Sequence, residues 1–159
     1  MIKITKDLVN EISINAKLSK RRRCNYNFHQ DYADLMNRML NAVEPGAYFP
    51  PHKHVNPDKR EIFVILRGRV LVAEFDDKGS ITEHVILDPQ YGNFGVEIQP
   101  DTWHFIVPLK KGSLLYEIKD GPYDPLTDKT FATWAPGEKD EYAWQFVRGV
   151  LEKLNIRID

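Results

Sequence analysis

One cysteine, Cys24, stands among 159 residues, so the chain can form no internal disulfide and no multi-cysteine metal site. No apolar run approaches the roughly 20 residues that cross a bilayer. The N-terminal MIKITKDLVNEISINAK carries acids inside any would-be apolar stretch and lacks a signal-peptide pattern. We therefore expect a cytoplasmic protein with no membrane contact. A strong charge of either sign is also missing: 22 basic residues face 23 acidic ones, for a net charge of -1. That balance removes the positive field expected of a nucleic-acid binder. The one basic run, Lys20-Arg21-Arg22-Arg23, comes without a recognition helix or stacking aromatics. It reads either as a solvated patch or as a contact for an anionic ligand, and no nucleic-acid partner is expected. Low-complexity segments and internal repeats are absent too, so residues 1–159 form one domain.

What is present is mostly strand signal. Residues 23–28 alternate, with Cys24, Tyr26 and Phe28 on one side and Asn25, Asn27 and His29 on the other. Residues 62–66 form an unbroken apolar run, expected as a strand buried on both faces. Residues 69–75 and 81–87 flank Asp76-Asp-Lys-Gly-Ser80, a hairpin loop with a glycine for positive φ. Further strands are predicted over 95–99, 103–108 and 114–119. Short strands at close spacing point to a sandwich or closed barrel. Outside them, residues 1–20 contain an amphipathic helical cover, 21–137 the barrel and its closing loop, and 138–159 a second helix.

The chemistry concentrates in two segments. His52 and His54 lie two apart, so on a strand both imidazoles project from one face, and Pro50-Pro51 keeps the approach extended. The turn-forming break at 55–60 lets Glu61 open the returning strand beside them. A second hairpin, residues 95–104, ends in His104. Three imidazoles and one carboxylate suit one divalent transition-metal ion such as Fe, Mn, Ni or Zn, without ranking them. The plain alternative is four polar side chains on ordinary hairpins.

Gly46, five residues, His52-Lys-His54, Glu61, six residues and Gly68 together resemble the first cupin motif, with a slightly long gap before Glu61. Gly95 to Pro100 with His104 resembles the second, with Thr102 in place of a usual glycine and Pro108 in place of a usual asparagine. Arg21-x-Arg23, Asn27-Phe-His29, Pro51-His-Lys-His54, residues 117–123 and residues 131–136 look like the WbuC family of cupin metalloproteins. The resemblance implies a mainly all-β, cupin-type jelly-roll β-barrel with short N- and C-terminal helices packed outside. It also implies an internal metal, a homodimer and an association with surface-polysaccharide (O-antigen) gene clusters.

Several residues are candidates for a substrate site. Arg21 and Arg23 can hold an anionic group, His29 can face the barrel mouth, and Phe63 and Trp103 can supply apolar walls. Glu117 and Lys119 alternate against Leu114, Tyr116 and Ile118, which marks either a solvent face or a cavity lining. In the second case Glu117 is a candidate catalytic base. The expected partner is a small molecule. Two functions stay open: a metal-dependent enzyme (isomerase, epimerase, lyase or oxygenase) acting on a small polar substrate such as a sugar or sugar nucleotide, and a non-catalytic module in which the metal organises a carbohydrate or small-ligand pocket.

Overall fold

A computed structural model describes residues 1–159. Helix α1 (Lys6–Leu18) is followed by strands β1 (Arg23–Asn27), β2 (Met36–Val43), β3 (His52–Lys53), β4 (Glu61–Arg67), β5 (Val70–Phe75) and β6 (Ile81–Leu87). Then come β7 (Gly95–Ile98), β8 (Trp103–Pro108), β9 (Ser113–Asp120), β10 (Thr130–Phe131) and helix α2 (Ala143–Lys153). The strands form two five-stranded sheets, ordered β1-β2-β9-β4-β7 and β10-β3-β8-β5-β6. Every pairing is antiparallel. This is a mainly β jelly roll, as expected.

Each helix covers the outer face of one sheet. Thr5 caps α1, its hydroxyl accepting the Leu8 backbone N–H, and Ile12 and Ala16 pack on Leu40, Ala42 and Leu114. On the other sheet, Val147, Val150 and Leu151 of α2 cover Leu71, Ala73, Phe105 and Val107. On α2, Val147 is buried, whereas Tyr142, just before the helix, is exposed.

Between the sheets, one end is an apolar core of Val43, Ile65, Val70, Val72, Leu87, Ile106 and Leu115. The other end is polar. Across the first sheet, Ile65 pairs with Leu115 and Phe63 with Glu117, whereas Glu61 pairs with Lys119 and Asn37 with Lys119 from the far side. The same inward face thus changes character along the barrel axis.

One expectation needs correction, and one strand was not expected. The run at 62–66 is not buried on both faces: Phe63 and Ile65 are buried, Ile62 and Val64 are half-buried, and Leu66 is exposed. The cause is its place in a barrel wall, which has only one inner face. Strand β2 carried no prediction, yet it lies between β1 and β9 and supplies Asn37 and Asn41 to the interior.

Candidate metal centre

His52 lies on β3 directly opposite His104 at the start of β8, and Glu61 opens β4. His54 follows β3 at once. The chain reverses through residues 55–60, so the two histidines and Glu61 face one another. The donor atoms of all four residues lie within 4.8 Å of one another, and every one of these residues is buried. Ring centroids of His52 are 4.5 Å from His104 and 5.1 Å from His54.

The hydrogen bonds decide what this cluster is suited to. The Nδ1–H of His52 donates to Pro50 O at 3.0 Å, that of His104 to Thr102 O at 2.9 Å, and that of His54 to Asp128 O. A carbonyl oxygen can only accept, so each Nδ1 carries the hydrogen and each neutral ring presents an Nε2 lone pair. Yet Glu61 Oε2, also a lone-pair atom, sits 2.9 Å from His104 Nε2 and 3.3 Å from His54 Nε2. The Nε2 of His52 is buried with no partner at all. Lone pairs converging from four side chains repel unless a cation lies among them. The donor set therefore fits a divalent metal ion, and this buried cluster could bind one.

Titration behaviour agrees. Burial, with Lys129 and His104 nearby, holds the His52 imidazole well below its ordinary value, so it stays an unprotonated donor. Burial works to raise the Glu61 carboxyl, but its close approach to His104 and His54, and the Lys119 charge, keep it well below the usual carboxylate range. Glu117 is the opposite case: burial, then the charge of Glu61, push it up to about 8.

His52, Glu61 and His104 line an inner chamber of about 40 Å³, walled in part by Phe63 and Phe105. Asn41, Phe49, Glu117 and Lys129 line both this chamber and an outer one of about 360 Å³. Asn41 Nδ2 donates to Glu117 Oε2 at 2.9 Å. Glu117 and Lys119 are buried, so their alternation marks a cavity lining and the solvent-face reading is set aside.

Other candidates are distributed unevenly. Arg21, Arg23 and His29 line the outer chamber. The two arginines are not free, because Arg21 Nε and Arg23 Nη2 reach Glu138 Oε1 at 2.6 and 2.7 Å. His29 Nδ1 accepts the Arg38 backbone N–H at 3.2 Å. Trp103 lines neither chamber: its Nε1 donates to Asp77 at 2.8 Å, and its ring packs against Trp134 and beneath Lys53.

Three groups at the site have no counterpart among the sequence-level candidates. Asp128 is buried between Lys59 and Lys119 and offers its backbone carbonyl to His54. Lys129 follows it into the cavity. Asn37 is 1% exposed, and neither side-chain amide atom has a partner. An Asp-Lys pair on a loop and an Asn in a mixed strand carry no spacing signal that could have found them.

No curated protein matches the sequence. Among solved structures, KdgF from a Halomonas species is similar at TM-score 0.51 and 18% identity, over 65% of this chain and 83% of that one. L-ribose isomerase from Cellulomonas parahominis is similar at TM-score 0.55 and 16% identity, over 70% and 69%. The capsular polysaccharide assembling protein CapF from Staphylococcus aureus is similar at TM-score 0.56 and 19% identity, over 67% of this chain but 28% of CapF. At such identities the likeness is one of fold alone. The sequence itself matches a family model described as a domain of unknown function, DUF6016, over residues 4–87. That match covers more than half of the chain and takes in His52, His54 and Glu61, and the chain belongs to this family.

Proposed function

We propose that the protein is a metal-dependent enzyme acting on a small polyhydroxylated molecule, a sugar or sugar nucleotide, with His52, His54, Glu61 and His104 as ligands of one divalent ion. The observation that carries this is the set of Nδ1–H donations to backbone carbonyls, which turns three Nε2 lone pairs toward one carboxylate. When bound, such an ion polarises an oxygen of the substrate.

The chain's own residues do the rest. Phe63 and Phe105 give the inner chamber apolar walls beside the polar donors. Asn41 orients the Glu117 carboxyl through its hydrogen bond, and Glu117 takes or returns the proton at the boundary between the chambers. The resemblance to WbuC cupins supports a place in surface-polysaccharide metabolism, and the shared fold of CapF is in keeping with it.

The second reading, a non-catalytic carbohydrate-binding module, draws on a different observation. Four protein donors are enough to close a tetrahedral ion and leave no position for substrate. One experiment separates the readings. Protein loaded with Fe, Mn, Ni or Zn is incubated with a panel of sugars and sugar nucleotides, and products are followed by mass and NMR. Metal-dependent turnover is the expected result. Saturable binding without turnover for every ion would replace the enzyme with the module.

A further inference from the structure

Charge accounting in the cavity singles out one group. Four cations line the outer chamber: Arg21, Arg23, Lys119 and Lys129. The arginines are spent on Glu138, and Lys119 shares Asp128 with Lys59. Lys129 forms no ion pair and no hydrogen bond with the protein, although it lines both chambers and stands beside His52. Lys129 is half-buried, and a lysine with no carboxylate within ion-pair distance at the junction of two chambers is free to take an anion that enters from outside.

A second, independent group faces the same space. Asn37, on β2 opposite Lys119, lines the outer chamber with both amide atoms unsatisfied at 1% exposure. A buried amide left unpaired is destabilising. Its NH₂ and its carbonyl oxygen together match a hydroxyl group, which both donates and accepts.

We infer that Lys129 and Asn37 form a subsite above the candidate metal centre, and that the ligand of this cavity is a polyol bearing a negative charge. Lys129 takes the anionic group, and Asn37 reads a hydroxyl beside it. The inference rests on the reading of the cavity as a sugar site, and it adds the charge of the ligand. An anion is favoured over a neutral sugar because Lys59 and Lys119 are held by Asp128, whereas Lys129 has no carboxylate within ion-pair distance. A divalent ion would add further positive charge. Neutral polyols offer nothing to offset it.

The test uses the full chain, metal-loaded and metal-stripped, titrated calorimetrically with D-glucuronate, D-glucose 1-phosphate and D-glucose. At least one anionic probe should bind about tenfold or more tightly than glucose, and the tighter of the two tells a carboxylate ligand from a phosphate. Lys129→Gln should weaken that probe by about 10- to 100-fold and leave glucose unchanged, as expected for loss of a hydrogen bond to a charged group. Asn37→Ala should weaken anionic and neutral probes alike. Metal content is measured on the same samples, and both variants should retain the wild-type level. Equal binding of anionic and neutral probes, or a Lys129→Gln variant that binds the anionic probe as wild type does, overturns the inference. A protein that takes up no divalent ion but still binds the anionic probe through Lys129 sinks the metal reading and leaves the subsite standing.

Discussion

Replacing Asp128 with asparagine keeps the shape of the side chain and removes one charge from a buried triad. Lys59 Nζ lies 2.8 Å from one carboxylate oxygen, and Lys119 Nζ bonds the other. Residue exposures are 2% for Lys59, 4% for Lys119 and 3% for Asp128, so solvent screens none of them. After the substitution two ammonium groups remain buried, with the Pro122 carbonyl still accepting from Lys59. Breaking a buried pair in this way costs about 3–5 kcal/mol. For a chain of this size each kcal/mol moves the midpoint by about 2–4 °C, giving a fall of roughly 6–20 °C. That is a large fraction of the about 5–15 kcal/mol that holds a typical domain together. Thermal and urea unfolding of EDTA-treated protein measure the loss without a contribution from bound metal. Adding Lys119→Met to Asp128→Asn removes one of the stranded charges, so the double variant should recover part of the loss. A loss below about 1 kcal/mol in the single variant would refute this account, and so would a double variant less stable than the single one.

His52→Ala and His104→Ala should each lower bound metal to well below one ion per chain by elemental analysis; near-full occupancy in both would contradict the ligand assignment. Gly68 has φ +88°, and a Cβ there would lie 2.6 Å from the Ser113 Cα, so Gly68→Ala should lower the unfolding midpoint by several degrees. Unchanged stability would mean that the β4–β5 turn can move away from β9. Burial works to raise the Glu138 carboxyl, but Arg21 and Arg23 hold it below its ordinary value. Its small contribution is present above the unfolded carboxyl range and is lost as pH falls below about 4.5. The stability gap between wild type and Glu138→Gln should therefore close on acidification, and a gap that persists at pH 3 would assign it to packing.

The metal-ligand candidates were legible because their convergence depends on local rules. Two-residue spacing puts His52 and His54 on one face, and a turn at 55–60 returns Glu61 to the same place. Strand β2 was hidden for the converse reason. Its inward face mixes polar Asn37 and Asn41 with Met39 and Val43, and its outward Leu40 and Ala42 are apolar, because α1 covers the outside while a chamber lies within. Such a strand shows no clean alternation of apolar and polar residues. Glu117 and Lys119 show the same limit. Their shared face followed from period two, but whether it looked inward depended on β2 and β4 closing on either side. Lys129 and Asp128 reach the site only through β10 pairing with β3, a contact between distant segments.

The polar end of the barrel also bears on why the site exists. Lys59, Glu61, Glu117, Lys119 and Asp128 are all buried beside three histidines, in space that the opposite end fills with valine, leucine and isoleucine. Apolar residues of similar volume in place of a buried ion cluster are often neutral or stabilising by about 1–4 kcal/mol. Folding alone therefore gives no reason for this arrangement, and local departures from packing rules concentrate where a protein binds or reacts. The departures here are graded. The triad is paired and fixes the carbonyl that orients His54, whereas the buried His52 Nε2 and Asn37 amide have no partner and Lys129 has no carboxylate within ion-pair distance. The satisfied groups hold the cavity in shape, and the unsatisfied ones face the space a ligand would enter. Filling that space with a cation and a charged polyol would satisfy all three.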